Sequence, residues 1–260
     1  MLFVQKILFY VPVIQLGAIM VFFAVAFSII GLLIAWRFLP RQTLKTHNDV
    51  AAAIFKAIST AYTVLLAFVV VISWQNFDRA KTHAITEANC LVGLYRNSAA
   101  FAQPFESDVR SHIKEYVDVV INEEWTSLGR GEESLKARAI LKNIWTLYTG
   151  YEPKTDKEKI FLAESIHNLD ELREMRRLRI IDSRTGVHPV LWFVLVAGAV
   201  MTISFTFLFG SNNFINHAIM ASVLSVIIAL ILLTILSFDF PFTGSVRVEP
   251  EAFQQVVSYY

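Results

Sequence analysis

Few residues in this chain could do chemistry, and Lys56 stands out among them. It sits inside an apolar run, AAAIFKAISTAYTVLLAFVVVISW, at residues 51–74. A lysine at the bilayer centre costs roughly 2.5–3.5 kcal/mol on insertion scales, so Lys56 must reach water or carbonyls. Ser59, Thr60 and Thr63 follow it at i+3, i+4 and i+7, the spacing that puts them on one helix face. Ala67 and Val70 continue that face as a small apolar constriction. Two readings stay open. Lys56 snorkels to the near interface while the hydroxyls pack against other helices, or the face lines a water-filled path. One such helix cannot enclose a pore. Several copies can, and a ring of lysines at the mouth would favour anions.

The other candidates are weaker. Glu164 and His167 form a Glu-x-x-His on a helical pattern, and His112 with Glu115 gives the reverse order. Di-iron bundles need two such pairs plus further glutamates, so no metal site and no cofactor is expected. Arg173, Arg176, Arg177 and Arg179 cluster shortly before an apolar run. They suit anionic lipid headgroups at about 1 kcal/mol each. The plainer reading is topology signalling with intrahelical pairs to Glu171 and Glu174. Cys90 is the single cysteine. It excludes an intrachain disulfide framework and reads as a small packing residue. The sequence holds no P-loop, Gly-x-Ser-x-Gly, His-Glu-x-x-His or Cys-x-x-Cys, so it gives no sign of an enzyme or of a catalytic residue.

The chain of 260 residues is 55% hydrophobic and 17% charged, with mean hydropathy +0.51. Soluble domains are less apolar and more charged. The apolar excess falls in blocks of membrane-spanning length. A net charge of +1 offers no basic field for nucleic acid.

The elements that must position these residues read as helices. Residues 1–10 form a mostly apolar strip suited to an interface. A first span covers about 11–36. Ala24-Val25-Ala26 resembles a signal cleavage site, yet the apolar run continues to Trp36, the length of an anchor. Pro40 breaks the polar connector, and Asn48 or Asp49 can cap the next helix. A second span at about 50–74 continues without proline to Asn97. Residues 75–187 carry four amphipathic patterns, read as a cytosolic antiparallel four-helix bundle. One starts near Pro104. One runs over 133–149 and stops at Gly150. One opens with a capping box at Thr155–Glu158 and shows Ile166, Leu169, Leu172, Met175 and Leu178 as its apolar stripe. Two further spans cover about 189–209 and 217–236 within a membrane half at 188–237, and 238–260 is a cytosolic tail. The fold class is therefore an all-α integral membrane protein, with the bundle inserted between its second and third spans.

Lys6, Arg79, Lys81, Arg176, Arg177, Arg179, Arg184 and Arg247 lie on the side of the termini and bundle; Arg37, Arg41 and Lys45 lie on the other. The positive-inside rule puts the termini and the bundle in the cytoplasm.

Tyr62–Trp74 followed by a helix with Glu87, and the exit Asp239-Phe240-Pro241-Phe242-x-Gly244 with Pro250 and Phe253 beyond, resemble the bacterial family named the bestrophin-like domain. The resemblance covers nearly the whole chain. It implies four spans, a cytosolic helical domain, a bacterial inner membrane location and a homo-oligomer. Bestrophins proper are pentameric, calcium-gated anion channels whose second span lines the pore. Two functions follow as expectations. One is a homo-oligomeric channel, with membrane lipid and inorganic anions as its partners. The other is a non-conducting scaffold or sensor whose bundle binds a partner.

Overall fold

Runs of apolar residues set the helices, and Pro, Gly and capping hydroxyls set their ends. The computed structural model describes Gln5, residues 8–39 and residues 41–260, with 41–43 described by backbone alone. Lys6 and Pro40 lie outside the described residues. Helix α1 is Val13–Phe38, and α2 is the short Arg41–Thr46. Helix α3, Asn48–Asn97, runs 50 residues unbroken; it contains no proline and one glycine, Gly93, so nothing in it stops a helix. Helix α4 is Phe105–Val119, followed by a π-helical turn at Val120–Glu124 and the short α5 at Trp125–Leu128. Helix α6 is Leu135–Thr149, capped by the Ser134 hydroxyl, which accepts from the Ala137 amide at 3.2 Å.

Helix α7 is Asp156–Asp182. The Thr155 hydroxyl accepts from the Glu158 amide at 3.1 Å. The Glu158 carboxylate reaches past Thr155 and accepts from the Lys154 amide at 2.7 Å, one residue beyond the usual capping box. Helices α8 (Pro189–Thr206), α9 (Phe214–Asp239) and α10 (Glu251–Val257) complete the chain. No strand occurs among the described residues. The helices α1, α3, α8 and α9 are long and apolar enough to cross a membrane.

The chain forms two compact units. The first holds Tyr10–Gln75 and Gly186–Asp239. Here Tyr62, Leu66 and Val69 of α3 are buried with Leu195, Ala199 and Ile203 of α8 and Ile228, Leu232 and Ile235 of α9. The Tyr62 hydroxyl donates to the Leu195 carbonyl at 2.8 Å. Gly198 permits this approach, because a Cβ there would lie 2.5 Å from the Tyr62 ring. Asn48 begins α3 and ties it to the α8–α9 connector: its amide group both donates to the Gly210 carbonyl and accepts from the Gly210 amide, each at 2.9 Å. Asn48 therefore clamps a second segment instead of capping its own helix.

The second unit holds Gln5, Leu8 and Phe9 together with Asn76–Thr185 and Phe240–Tyr260. Its core draws on Leu91 and Leu94 of α3, Ile113 and Tyr116 of α4, Ile144 and Tyr148 of α6, and Leu169 and Leu172 of α7. Gln5 and Leu8 are buried in it, a departure from the interfacial strip expected of residues 1–10. The C-terminal segment is part of this core as well, through Phe242, Val248, Phe253 and Val256.

Tyr62→Phe removes one interhelical hydrogen bond, worth about 1 kcal/mol. It is expected to lower the thermal midpoint of the detergent-solubilised protein by roughly 2–4 °C. Gly198→Val places carbon where the Tyr62 ring sits, so its midpoint should fall further; a smaller fall than in Tyr62→Phe would show that the contact is loose.

Candidate functional site

Two places bring unusual groups together, one in each unit. In the first unit, α3 divides into faces. Tyr62, Leu66 and Val69 are buried, and Phe55 stacks with Phe205 and meets Phe209 edge-on. This face packs inside the unit. Lys56, Thr60, Thr63 and Ala67 are exposed, and Ser59 and Val70 are half-buried. At about 100° per residue, this polar stripe lies roughly a third of a turn from the packed face. Beyond it, Ala57, Ala61, Val64, Phe68 and Val71 are exposed and apolar. The uncovered arc of α3 thus has a polar strip and an apolar one.

In the second unit, four charged side chains and a tyrosine meet in the core. Arg179, Glu87 and Glu124 have no exposed surface, and Arg176 is 6% exposed. Arg179 donates through Nε to Glu87 Oε2 at 2.6 Å and through Nη2 to Glu87 Oε1 at 2.9 Å. The same Nη2 reaches Glu124 Oε1 at 3.1 Å. Arg176 Nη2 donates to Glu124 Oε2 at 3.0 Å and to the Ser134 carbonyl at 3.3 Å. The Tyr116 hydroxyl donates to Glu87 Oε1 at 2.6 Å. The guanidinium of Arg179 lies 5.2 Å from the Trp125 ring centroid and 5.5 Å from that of Phe253, within cation–π range. Its Nη1 has no hydrogen-bond partner.

Burial opposes the charge on Arg179, but the carboxylates of Glu87 and Glu124 outweigh it, and the pKa rises above its usual value. Burial, together with the same two carboxylates, pushes the Tyr116 phenol well up, so it remains a donor. The network joins α3, α4, the π-helical turn and α7. The exit motif packs beside it: Trp125 Nε1 donates to the Val248 carbonyl at 2.9 Å, and the Val248 amide donates to the Pro241 carbonyl at 2.7 Å. Gly244 holds φ +85°, a left-handed turn that favours glycine.

This geometry corrects one reading of the sequence. Arg176 and Arg179 cannot meet lipid headgroups, because both are buried and held by carboxylates. Arg173 and Arg177 are exposed; Arg177 pairs with Glu174 at 2.6 Å, and Arg173 lies 3.9 Å from Asp170. Glu164 and His167 are exposed on α7, and His112 Nδ1 lies 2.8 Å from the Asp108 carbonyl. No group of three or more metal-ligating side chains occurs among the described residues. Cys90 is buried; burial and the neighbouring Glu171 push its thiol up to about 12, leaving it protonated at neutral pH.

Sequence reasoning missed the network, although a signal was present. Glu87 falls in register with the buried Ala80, Ala84, Leu91 and Leu94, and Glu124 with the buried Val117, Val120 and Leu128. An acid in an apolar stripe implies a cationic partner on another stripe.

The fold thus defines an all-helical protein with four membrane-length apolar helices and a second helical unit built around buried ion pairs. A family profile described as the bestrophin-like domain matches residues 13–253. The chain belongs to that family and is a membrane protein. Solved structures share its fold. A variant of a bacterial bestrophin homologue from Klebsiella pneumoniae is 14% identical, with TM-score 0.68, over 94% of this chain and 97% of that one. A second variant of that homologue is 12% identical, with TM-score 0.67, over 92% and 98%. A structure described only as a membrane protein is 13% identical, with TM-score 0.69, over 91% and 96%. At these identities the likeness is one of fold. No curated protein matches the chain.

Arg179→Met leaves Glu87 and Glu124 buried without their shared cation. It should destabilise the second unit by about 3–5 kcal/mol, read as a fall in thermal midpoint of the full-length protein. Adding Glu87→Leu and Glu124→Leu should recover part of the loss. An unchanged midpoint in the single variant would show that the network does not hold the unit together.

Proposed function

We propose that the chain assembles into a homo-oligomeric ion channel, with the polar stripe of α3 lining the path. One observation carries this reading: Lys56, Thr60 and Thr63 are uncovered on a membrane-length helix whose packed face lies elsewhere. A lysine and two threonines facing lipid are costly. A ring of copies gives the stripe a water-filled interior to face. The apolar strip of Ala57, Ala61, Val64, Phe68 and Val71 then meets lipid or the neighbouring copy, and its two alanines suit close helix approach.

In this reading α1, the first part of α3, α8 and α9 are the four spans, and residues 76–185 form a helical insert between the second and third. The distribution of Lys and Arg supports a cytoplasmic side for that insert and for both termini of the chain in a bacterial inner membrane. Lysines near one mouth raise the local concentration of anions, so the favoured ions are small inorganic anions. Ala67 and Val70, further along the stripe, are the narrow apolar section.

Purified protein in planar bilayers under a salt gradient tests the proposal. The wild type is expected to conduct with a reversal potential on the anion side. Lys56→Glu is expected to move that potential toward the cation side, and Lys56→Ala to move it less. A conducting Lys56→Glu variant with an unchanged reversal potential would remove α3 as the lining. Silence from wild type and variants, with fold and oligomer verified, would favour the scaffold reading.

A further inference from the structure

The first turn of α3 carries one more charge in line with the proposed lining. Asp49 precedes Lys56 by seven residues. Seven residues at about 100° each fall roughly 20° short of two full turns. Asp49 is thus as closely aligned with Lys56 as Thr63 is, seven residues further on. Helix α3 is unbroken from Asn48, so the register holds across this interval. Both Asp49 and Lys56 are exposed. Neither enters an ion pair among the described residues. The start of the helix is held in place by its neighbours. Asn48 is tied to Gly210 by two hydrogen bonds of 2.9 Å. Lys45, the lysine nearest to Asp49 in sequence, donates to the Asn212 side-chain carbonyl. A neutral amide, and not Asp49, therefore engages that lysine.

An acid in the first turn suits the positive end of the helix dipole. That interaction is the same on every side of the helix. The register is specific to one side, and it puts Asp49 at the end of the polar stripe where α3 begins. Along the axis, Asp49 and Lys56 stand about 10 Å apart. In a ring of copies each position becomes a ring of charge. Carboxylate rings favour cations, and lysine rings favour anions. We propose that Asp49 is a second selectivity-determining residue, set against Lys56. It forms an acidic ring at the mouth, followed about 10 Å further in by the basic one. This inference rests on the proposed lining by α3. An anion entering at that mouth crosses the carboxylates first, and one entering at the far end meets the lysines first. Entry is therefore unequal from the two ends, and the current rectifies.

Two measurements test the proposal. In planar bilayers under a salt gradient, Asp49→Asn should move the reversal potential further to the anion side. It should also reduce the difference between currents of the two directions. Asp49→Lys should do both more strongly. The second measurement does not need conduction. Cys90 is the one cysteine of the chain, so Lys56→Cys with Cys90→Ala leaves a single thiol in the full-length protein. Its rates of modification by a cationic and an anionic methanethiosulfonate reagent are compared in liposomes. With Asp49 present, the ratio of cationic to anionic rate should be about twofold or more above that of the Asp49→Asn form near ~10 mM salt. The excess should vanish near ~1 M salt. No modification by either reagent shows that residue 56 does not face water; the lining then fails, and this proposal with it. Modification with the same ratio in both forms overturns the role of Asp49 and leaves the lining intact. So does a conducting Asp49→Asn variant with the reversal potential and rectification of the wild type.

Discussion

The second unit depends on charge that has been taken out of water. Arg179 is fully enclosed, and so are the two carboxylates it holds. Each ion alone would cost several kcal/mol to bury. Together they are tolerated because one guanidinium serves both acids, Tyr116 and Arg176 supply further donors, and two aromatic rings cover the guanidinium. Such an arrangement offers little stability over a well-packed apolar core. What it does impose is register. The i and i+3 positions of α7 that carry Arg176 and Arg179 can satisfy Glu124 and Glu87 in one alignment of α7 against α3 and the π-helical turn. The π turn matters here: its wider winding at Val120–Glu124 changes the direction in which Glu124 projects relative to the preceding turns of α4.

The same argument about polar groups in apolar surroundings applies in the first unit, with a different resolution. Its polar stripe is not folded inward against partners. Tyr62, one of two polar side chains buried on α3 in this unit, has an acceptor in the Leu195 carbonyl, whereas the buried Ser73 hydroxyl has no hydrogen-bond partner among the described residues. Lys56, Thr60 and Thr63 lie outside the packed face. One helix therefore shows both outcomes: a buried polar group that is satisfied internally, and a polar row left for the surroundings. In a membrane, surroundings that satisfy such a row are water in a lumen, the interface, or another protein surface.

Much of the fold was legible because apolar period and capping chemistry are local. The four apolar helices, the break before α4, the Thr155 start and the Gly150 stop can all be read from neighbouring residues. The N-terminal and C-terminal segments were not legible in this way. Gln5, Leu8, Phe242 and Phe253 find their places through partners more than a hundred residues away, such as the Ser183 carbonyl for Gln5 and Trp125 for both phenylalanines. Of the candidate sites, the α3 stripe was visible because its residues share one helix face. The buried network was not, because the register of Glu87 and Glu124 with apolar positions marks two acids for burial without showing which partners on other elements meet them.

The arginine cluster shows how the period decides between these outcomes. Arg173, Arg176, Arg177 and Arg179 are identical in chemistry and nearly adjacent in sequence. Positions 169, 172, 176 and 179 follow the three- and four-residue steps of a single face, so Arg176 and Arg179 continue the line begun by Leu169 and Leu172 into the core. Arg173 and Arg177 are each one residue off that line and turn outward. The apolar stripe expected from the sequence runs through Ile166, Leu169, Leu172, Met175 and Leu178; Leu169 and Leu172 are fully buried, while Ile166, Met175 and Leu178 are only half-buried. The core face of α7 is shared: composition marks its first half through Leu169 and Leu172, and its second half is set by where Arg176 and Arg179 find partners. A helix that buries arginine will mislead any reading that equates core with apolar, and the correction comes from asking which acids elsewhere sit in register with leucines.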